Sequence, residues 1–251
     1  MAPAGLAILI GAGPTTGAGI ARILASKGNL AVALLARRPD PLQDLAKNLR
    51  NDVPDAIFEA FPTDTTPQKL SQTFKDIKAH ESFKGLKLRM AIFSVKHSHK
   101  KPFMEETHED FTDSLTTYVG GAFTFAQESL KRLFEDHGEA RLADGAEKKG
   151  TIIFTGTLGA LRCNIGYGAY GAGRASVRQL AQSLAREMSE KGVHVVHAIA
   201  NGGIRDEDSE DTKAGKRMSA EAVGKTYLFL HEQEACLWTH ELDMRPALEK
   251  F

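Results

Sequence analysis

The chain has 251 residues, 42% of them hydrophobic and 25% charged, with 32 basic residues against 32 acidic ones. That composition is typical of a soluble globular protein and argues against disordered or fibrous chains; a net charge of zero argues against non-specific nucleic-acid binding, which needs a basic excess. Cys163 and Cys236 lack CxxC spacing, no apolar run approaches the roughly 18–20 residues of a membrane span, and the N-terminus lacks a signal-peptide pattern. The expectation is a cytoplasmic protein in a reducing compartment, with no nucleic-acid or membrane partner. No linker divides it, so residues 1–251 read as one domain.

Leu6–Ile10 is the first predicted strand, and it runs straight into Gly11-Ala12-Gly13-Pro14-Thr15-Thr16-Gly17-Ala18-Gly19. A helix with Ile20, Ile23 and Leu24 follows. Glycines at a strand-to-helix junction let the backbone approach a pyrophosphate, and the helix N-terminus adds N–H donors and dipole potential. Gly13, Thr15, Thr16, Gly17 and Gly19 are therefore expected to bind a cofactor. The second strand, Leu30–Leu35, is followed by Ala36-Arg37-Arg38. An acidic residue there would bind ribose hydroxyls, whereas guanidinium forks at Arg37 and Arg38 suit a phosphate.

Leu42, Leu45 and Leu49 set a helical period, Ile57–Phe61 is a weaker strand, and Leu70, Phe74 and Ile77 give another helix. Leu88–Val95 reads as a strand, followed by the basic loop Lys96-His97-Ser98-His99-Lys100-Lys101. A helix is expected over Phe111–Leu133. Gly120–Gly121 in its middle must either weaken it or permit a close backbone approach. Glu135–Lys149 reads as a surface loop, Thr151–Thr155 as a strand, Tyr170–Met188 as a helix and Val193–Ala200 as a strand. The acidic run Asp206-Glu207-Asp208-Ser209-Glu210-Asp211 comes next. Strands alternating with helices imply right-handed crossovers and a parallel sheet covered on both faces. Ligands should bind at the carboxyl ends of its strands, where the two charged loops emerge. His97 or His99 is a candidate proton donor there. Mutual attraction of the two loops would close the site. His-x-His has no partners at metal-ligand spacing, so no metal is expected.

Tyr170 and Arg174 stand four apart on one helix, so their side chains share a face. A cation beside a phenol lowers its pKa from about 10 and stabilises the phenolate, which suits a general acid for carbonyl reduction.

The spacing Gly13-xxx-Gly17-x-Gly19 resembles the glycine motif of the short-chain dehydrogenase/reductase family, with Ala12 where a Thr or Ser is usual. Tyr170 and Arg174 are similar to its Tyr-xxx-Lys motif, with Arg in place of Lys. The resemblance covers nearly the whole chain and implies a Rossmann-type, doubly wound parallel sheet of strand order 3-2-1-4-5-6-7. It implies NADP(H) as cofactor, with Arg37 the better-placed phosphate contact and Asp64-Thr65 at the adenine. Phe93-Ser94-Val95-Lys96 stands in the place of the family's Asn-Asn-Ala-Gly, and Gly202-Gly203 in that of its Pro-Gly. Ser94, Val95, Arg174, Gly203 and Ile204 thus join the expected cofactor contacts. Thr157 takes the place of the substrate-orienting Ser, and Tyr118 the place of the Asn that holds a relay water. The catalytic tetrad therefore reads Tyr118, Thr157, Tyr170 and Arg174, an atypical set. Arg174 can hold a ribose, but a guanidinium keeps its proton and so makes a poor proton relay. The implied function is NADPH-dependent reduction of a carbonyl or activated double bond of a small molecule. A non-redox isomerase, eliminase or cyclase and a non-catalytic NADPH-binding protein are the alternatives. A homodimer or homotetramer is implied by resemblance only.

Overall fold

Unbroken runs of Leu, Ile, Val and Ala become strands buried on both faces: β1 (Gly5–Ile10), β2 (Leu30–Ala36) and β6 (Val193–Ala200) are almost entirely inaccessible. Such strands need cover on both sides of the sheet. The computed structural model describes residues 2–97 and 100–249. β3 (Phe58–Pro62), β4 (Leu88–Phe93), β5 (Gly150–Gly156) and β9 (Glu241–Met244) complete a seven-stranded sheet of order β3-β2-β1-β4-β5-β6-β9. Every pairing in it is parallel. This is the expected doubly wound arrangement, with β9 as the seventh strand. Two-residue strands β7 (Ile204–Arg205) and β8 (Met218–Ser219) pair separately.

Alternation along β1 feeds two apolar layers. Ala7 and Leu9 pack with α1 (Thr16–Ser26), α2 (Pro39–Asp52) and α8 (Ala220–Glu232), which follows the short α7 (Glu210–Lys213). Leu6, Ile8 and Ile10 pack with α3 (Pro67–Ala79), α5 (Gly121–His137) and α6 (Gly168–Met188).

Three predicted boundaries are corrected. β4 stops at Phe93, because the chain leaves the sheet once the Ser94 amide has bonded to the Ile10 carbonyl at 2.9 Å. The helix expected over 111–133 runs longer and in three parts: α4 (His108–Ser114), a π-helical turn (Leu115–Gly120) and α5. A Thr107–Asp110 capping box starts it. The expected loop from Glu135 begins only after His137, where Gly138 at φ 77° ends α5. Gly121 sits where an added Cβ would lie 2.5 Å from the Thr65 side chain, so this helix docks closely on the turn after β3. Among the described residues no helix is long and apolar enough to cross a membrane, and no group of three His, Cys, Asp or Glu could hold a metal.

The far end of the sheet is tied by a buried polar cluster. Lys148 Nζ donates to the His231 and Gln233 carbonyls at 2.6 and 2.9 Å, and His231 Nδ1 lies 3.1 Å from Thr151 Oγ1. Burial, helped by Lys148, Arg89 and His194, pushes the His231 imidazole down to about 3. The unfolded chain binds a proton on this ring near pH 6.5 and the folded one refuses it until about 3. The stability this ring contributes is complete above the unfolded value and falls by about 1.4 kcal/mol per pH unit on acidification through that interval. Urea unfolding at neutral pH and at about pH 5 should show the wild type losing about 2 kcal/mol more than His231→Gln. Equal losses would exonerate His231.

Candidate active site

The carboxyl ends of β1, β2, β4, β5 and β6 open onto a cleft in two joined halves, with Gly13, Val95 and Lys96 shared between them. Arg37, Arg38, Asp64, Thr65 and His97 line the first half. Thr15, Thr16, Gly17 and Ser94 line the second, together with Thr157, Tyr170, Arg174 and Ile204. Both halves adjoin the glycine turn before α1, where a bound phosphate would meet helix N–H groups.

Three expected site residues stand elsewhere. Gly19 does not face the cleft: an added Cβ would lie 2.5 Å from Ala220, so its smallness lets α1 and α8 touch. Gly203 faces the Arg217 side chain, 2.4 Å from where its Cβ would be, and its carbonyl accepts the Met218 amide at 2.8 Å. Tyr118 is buried at 2% exposure and packs behind Arg174.

In the second half, the Tyr170 hydroxyl lies 2.6 Å from Thr157 Oγ1. The Arg174 guanidinium lies over two phenol rings, its central carbon 3.9 Å from the Tyr118 ring centre and 4.9 Å from that of Tyr170. Its Nη1 donates to the Tyr118 hydroxyl, while the Thr155 and Val95 carbonyls stand 3.5 Å from Nη1 and Nη2. The π-helical turn adds a residue to the local winding and carries Tyr118 to this position. Burial pushes the Tyr118 phenol up, against the opposing pull of Arg174, so it keeps its proton at neutral pH. Its hydroxyl has the Thr155 carbonyl 3.4 Å away as acceptor. On the other side of β5, the buried Tyr227 hydroxyl meets Thr155 Oγ1 at 2.8 Å.

In the first half, Asp64 Oδ1 accepts from the Thr66 amide and hydroxyl at 2.9 and 2.6 Å, bonds that hold its carboxyl below the usual range. Arg37 and Arg38 are exposed and form no ion pair with any described residue. Among the described residues, each charged loop pairs with its own neighbours rather than with the other loop. Lys101 pairs with Asp110 at 2.6 Å and His97 faces Asp113 at 3.9 Å. Asp206 pairs with Arg22 at 3.1 Å, and Asp211 with Arg217 at 3.4 Å. His97 belongs to the cleft wall, and His99 lies outside the described residues. Lys96, expected in the basic loop at the substrate mouth, lines both halves. Gly156 and Tyr227 were not singled out from the sequence at all.

The sequence profile of the family described as short chain dehydrogenase matches residues 5–216. An uncharacterized oxidoreductase of Staphylococcus aureus (strain N315) is 23% identical over 247 residues, 96% of this chain and 97% of that protein. The NADPH-dependent 1-acyldihydroxyacetone phosphate reductase of Saccharomyces cerevisiae is 26% identical over 205 residues, 81% of this chain and 63% of that protein. Among solved structures, a short-chain dehydrogenase from Rhodopseudomonas palustris superposes with a TM-score of 0.77 at 26% identity, covering 96% of this chain and 98% of that one.

Tyr118→Phe removes the hydroxyl that the buried Arg174 Nη1 donates to. Leaving such a donor unsatisfied costs about 1–3 kcal/mol. Chemical unfolding of the variant should show a loss of that size; an unchanged midpoint would mean that the hydroxyl carries no share of the guanidinium's partners.

Proposed function

We propose, on the premise that the chain belongs to the short chain dehydrogenase family, that it is an NADPH-dependent oxidoreductase reducing a carbonyl or activated double bond of a small organic molecule. The observation that carries this reading is the 2.6 Å contact between the Tyr170 hydroxyl and Thr157, with the Arg174 guanidinium stacked on Tyr170 in the same half of the cleft. The residues present fit a dinucleotide. Gly13 faces open space, with nothing within 4 Å of an added Cβ, so a pyrophosphate can approach the backbone. The exposed Arg37 and Arg38 suit a 2′-phosphate, and the name of the yeast relative agrees with that choice.

NADPH, when bound, supplies hydride to the substrate. Thr157 orients the substrate oxygen through its hydroxyl. Tyr170 hands that oxygen its proton. Arg174, cationic at any working pH, balances the charge left on the Tyr170 oxygen and holds the ribose hydroxyls. Asp64, whose Oδ1 is taken by Thr66, would hold the adenine, with Thr65 beside it. The protein acts as one domain in the cytoplasm, where Cys163 and Cys236 stay free thiols, and as a homodimer or homotetramer. A second reading is favoured by one observation: Arg174 commits its Nη1 to Tyr118 and relays no protons. In that reading Tyr170 and Thr157 catalyse an isomerisation, elimination or cyclisation without net hydride transfer.

A panel of small ketones, aldehydes and enones, followed by NADPH absorbance and product analysis, tests both readings. Stoichiometric NADPH loss is expected, and product without NADPH loss moves the assignment to the second. Tyr170→Phe should lower kcat by about 10²–10⁴-fold with NADPH affinity unchanged; full activity would refute Tyr170 as the acid. Arg37→Ala should weaken NADPH by roughly tenfold or more while leaving NADH alone, and equal effects on both cofactors would end the 2′-phosphate assignment.

A further inference from the structure

Beneath the floor of the second half of the cleft lies a buried histidine, tied to a half-buried ion pair, that the chemistry above leaves unused. β9 begins at Glu241, opposite His197 in the parallel pairing with β6. The Glu241 carboxylate accepts both N–H groups of the Arg178 fork, at 2.6 and 2.8 Å, and lies 3.1 Å from His197 Nδ1. Arg178 follows Arg174 by one turn of α6, so both arginines project toward the same side of that helix. The His197 ring is 1% exposed and lies under Gly156, where an added Cβ would be 2.2 Å from Nε2. Only glycine fits directly before Thr157 for that reason.

Two buried side-chain nitrogens have no hydrogen-bond partner among the described residues here: His197 Nε2 and Arg174 Nε. Glu241, held ionised by Arg178, can only accept, so the imidazole proton sits on Nδ1 and Nε2 carries a lone pair. Arg174 Nε always carries a hydrogen. An acceptor and a donor of matching character are thus both unsatisfied around the end of β5, where Arg174 reaches the Thr155 carbonyl and His197 underlies Gly156. Unpaired buried groups of this kind are costly, and their pairing relieves both costs together.

We propose that Glu241 and His197 are positioning residues for Arg174: the carboxylate fixes the Nδ1–H tautomer, and the Nε2 lone pair anchors the Nε–H edge of the guanidinium through one bridging water. The proposal rests on the reading that Arg174 holds the cofactor ribose. Stacking on Tyr118 and Tyr170 fixes the plane of the guanidinium, and the imidazole fixes its rotation within that plane. Protonation of His197 abolishes the anchor, since an imidazolium has no lone pair and adds a second positive charge. The charged groups facing the ring are Glu241 from β9 and Arg178 and Arg174 from α6. Burial, with the two arginines, pushes the imidazole below its usual range against the pull of Glu241. The anchor therefore holds at neutral pH and fails in acid.

Nitrogen-detected NMR of the histidine rings in the wild-type protein is the first test, and it needs no cofactor. His197 should be the Nδ1–H tautomer at neutral pH and titrate below about 6.5. Arg174→Gln, which removes a facing charge, should raise that midpoint by about half a pH unit or more. An Nε2–H tautomer, or no shift in Arg174→Gln, overturns the proposal. The second test is NADPH affinity against pH by fluorescence. Wild type should weaken by roughly fivefold on acidification, the worth of one hydrogen bond. That limb should move to lower pH in Glu241→Gln, which removes the carboxylate's upward pull, and vanish in His197→Gln. The same limb in all three proteins overturns the proposal. If NADPH binds at no pH, the cofactor reading fails, and the ring tautomer with the Arg174→Gln shift still decides the anchor.

Discussion

One buried cation sets the geometry of this molecule's working end. Arg174 is 4% exposed, yet no carboxylate pairs with it among the described residues. A guanidinium in that position must be stabilised by what surrounds it: two phenol faces, a phenol oxygen and two strand-end carbonyls. The contacts come from four parts of the chain. The π-helical turn brings Tyr118, β4 ends beside Val95, β5 contributes Thr155, and α6 carries both Arg174 and Tyr170. The strand ends must therefore stop where they do and the winding before α5 must depart from the α-helix.

Strand runs such as Val193–Ala200 and the glycine turn were legible in the sequence because their signals are local. A run of apolar residues needs cover on both faces, and a turn of glycines between strand and helix has few other uses. The stacking of Tyr170 on Arg174 was legible too, since a spacing of four fixes two side chains on one helix face. What escaped were relations between distant segments. Gly19 read as a phosphate contact because it sits in the motif, but its neighbour is Ala220, some two hundred positions away. Gly156 had no periodic signature at all, and its identity follows from a histidine on the adjacent strand. The π-helical turn left a trace in Gly120–Gly121, but only as a choice between weakening and close approach, and the structure shows both. Trp238 through Arg245 carries no clean alternation, which is why β9 was visible only through resemblance.

Zero net charge conceals a sorted surface. Acidic residues 206–211 are matched by Arg22, Lys213, Lys216 and Arg217, and the lysine of the basic loop nearest α4 is matched by Asp110. Local neutralisation of this sort leaves little field between the loops to draw them together, since exposed charges beyond about 10 Å are screened at physiological salt. Arg37 and Arg38 are exposed at the rim of the cleft, with no carboxylate partner among the described residues.

Arg174 and Tyr118, which the family resemblance sets in the places of a Lys and an Asn, pack as a single device. A lysine ammonium is a compact point charge that demands a shell of acceptors, and a buried phenol ring in the Asn position would offer it one oxygen and a face. A guanidinium is planar and weakly hydrated, so it exchanges that shell for ring faces on both sides and directs its remaining donors along the edges. Tyr118 is the matching half, since an aromatic ring supplies the face that an amide lacks and its hydroxyl supplies the edge acceptor. With an Asn at 118 the guanidinium would lose its tightest stacking partner; with a Lys at 174 the Tyr118 ring would fill the space without satisfying the charge. Either change alone leaves a buried polar group short of partners, which is why the two exchanges belong together.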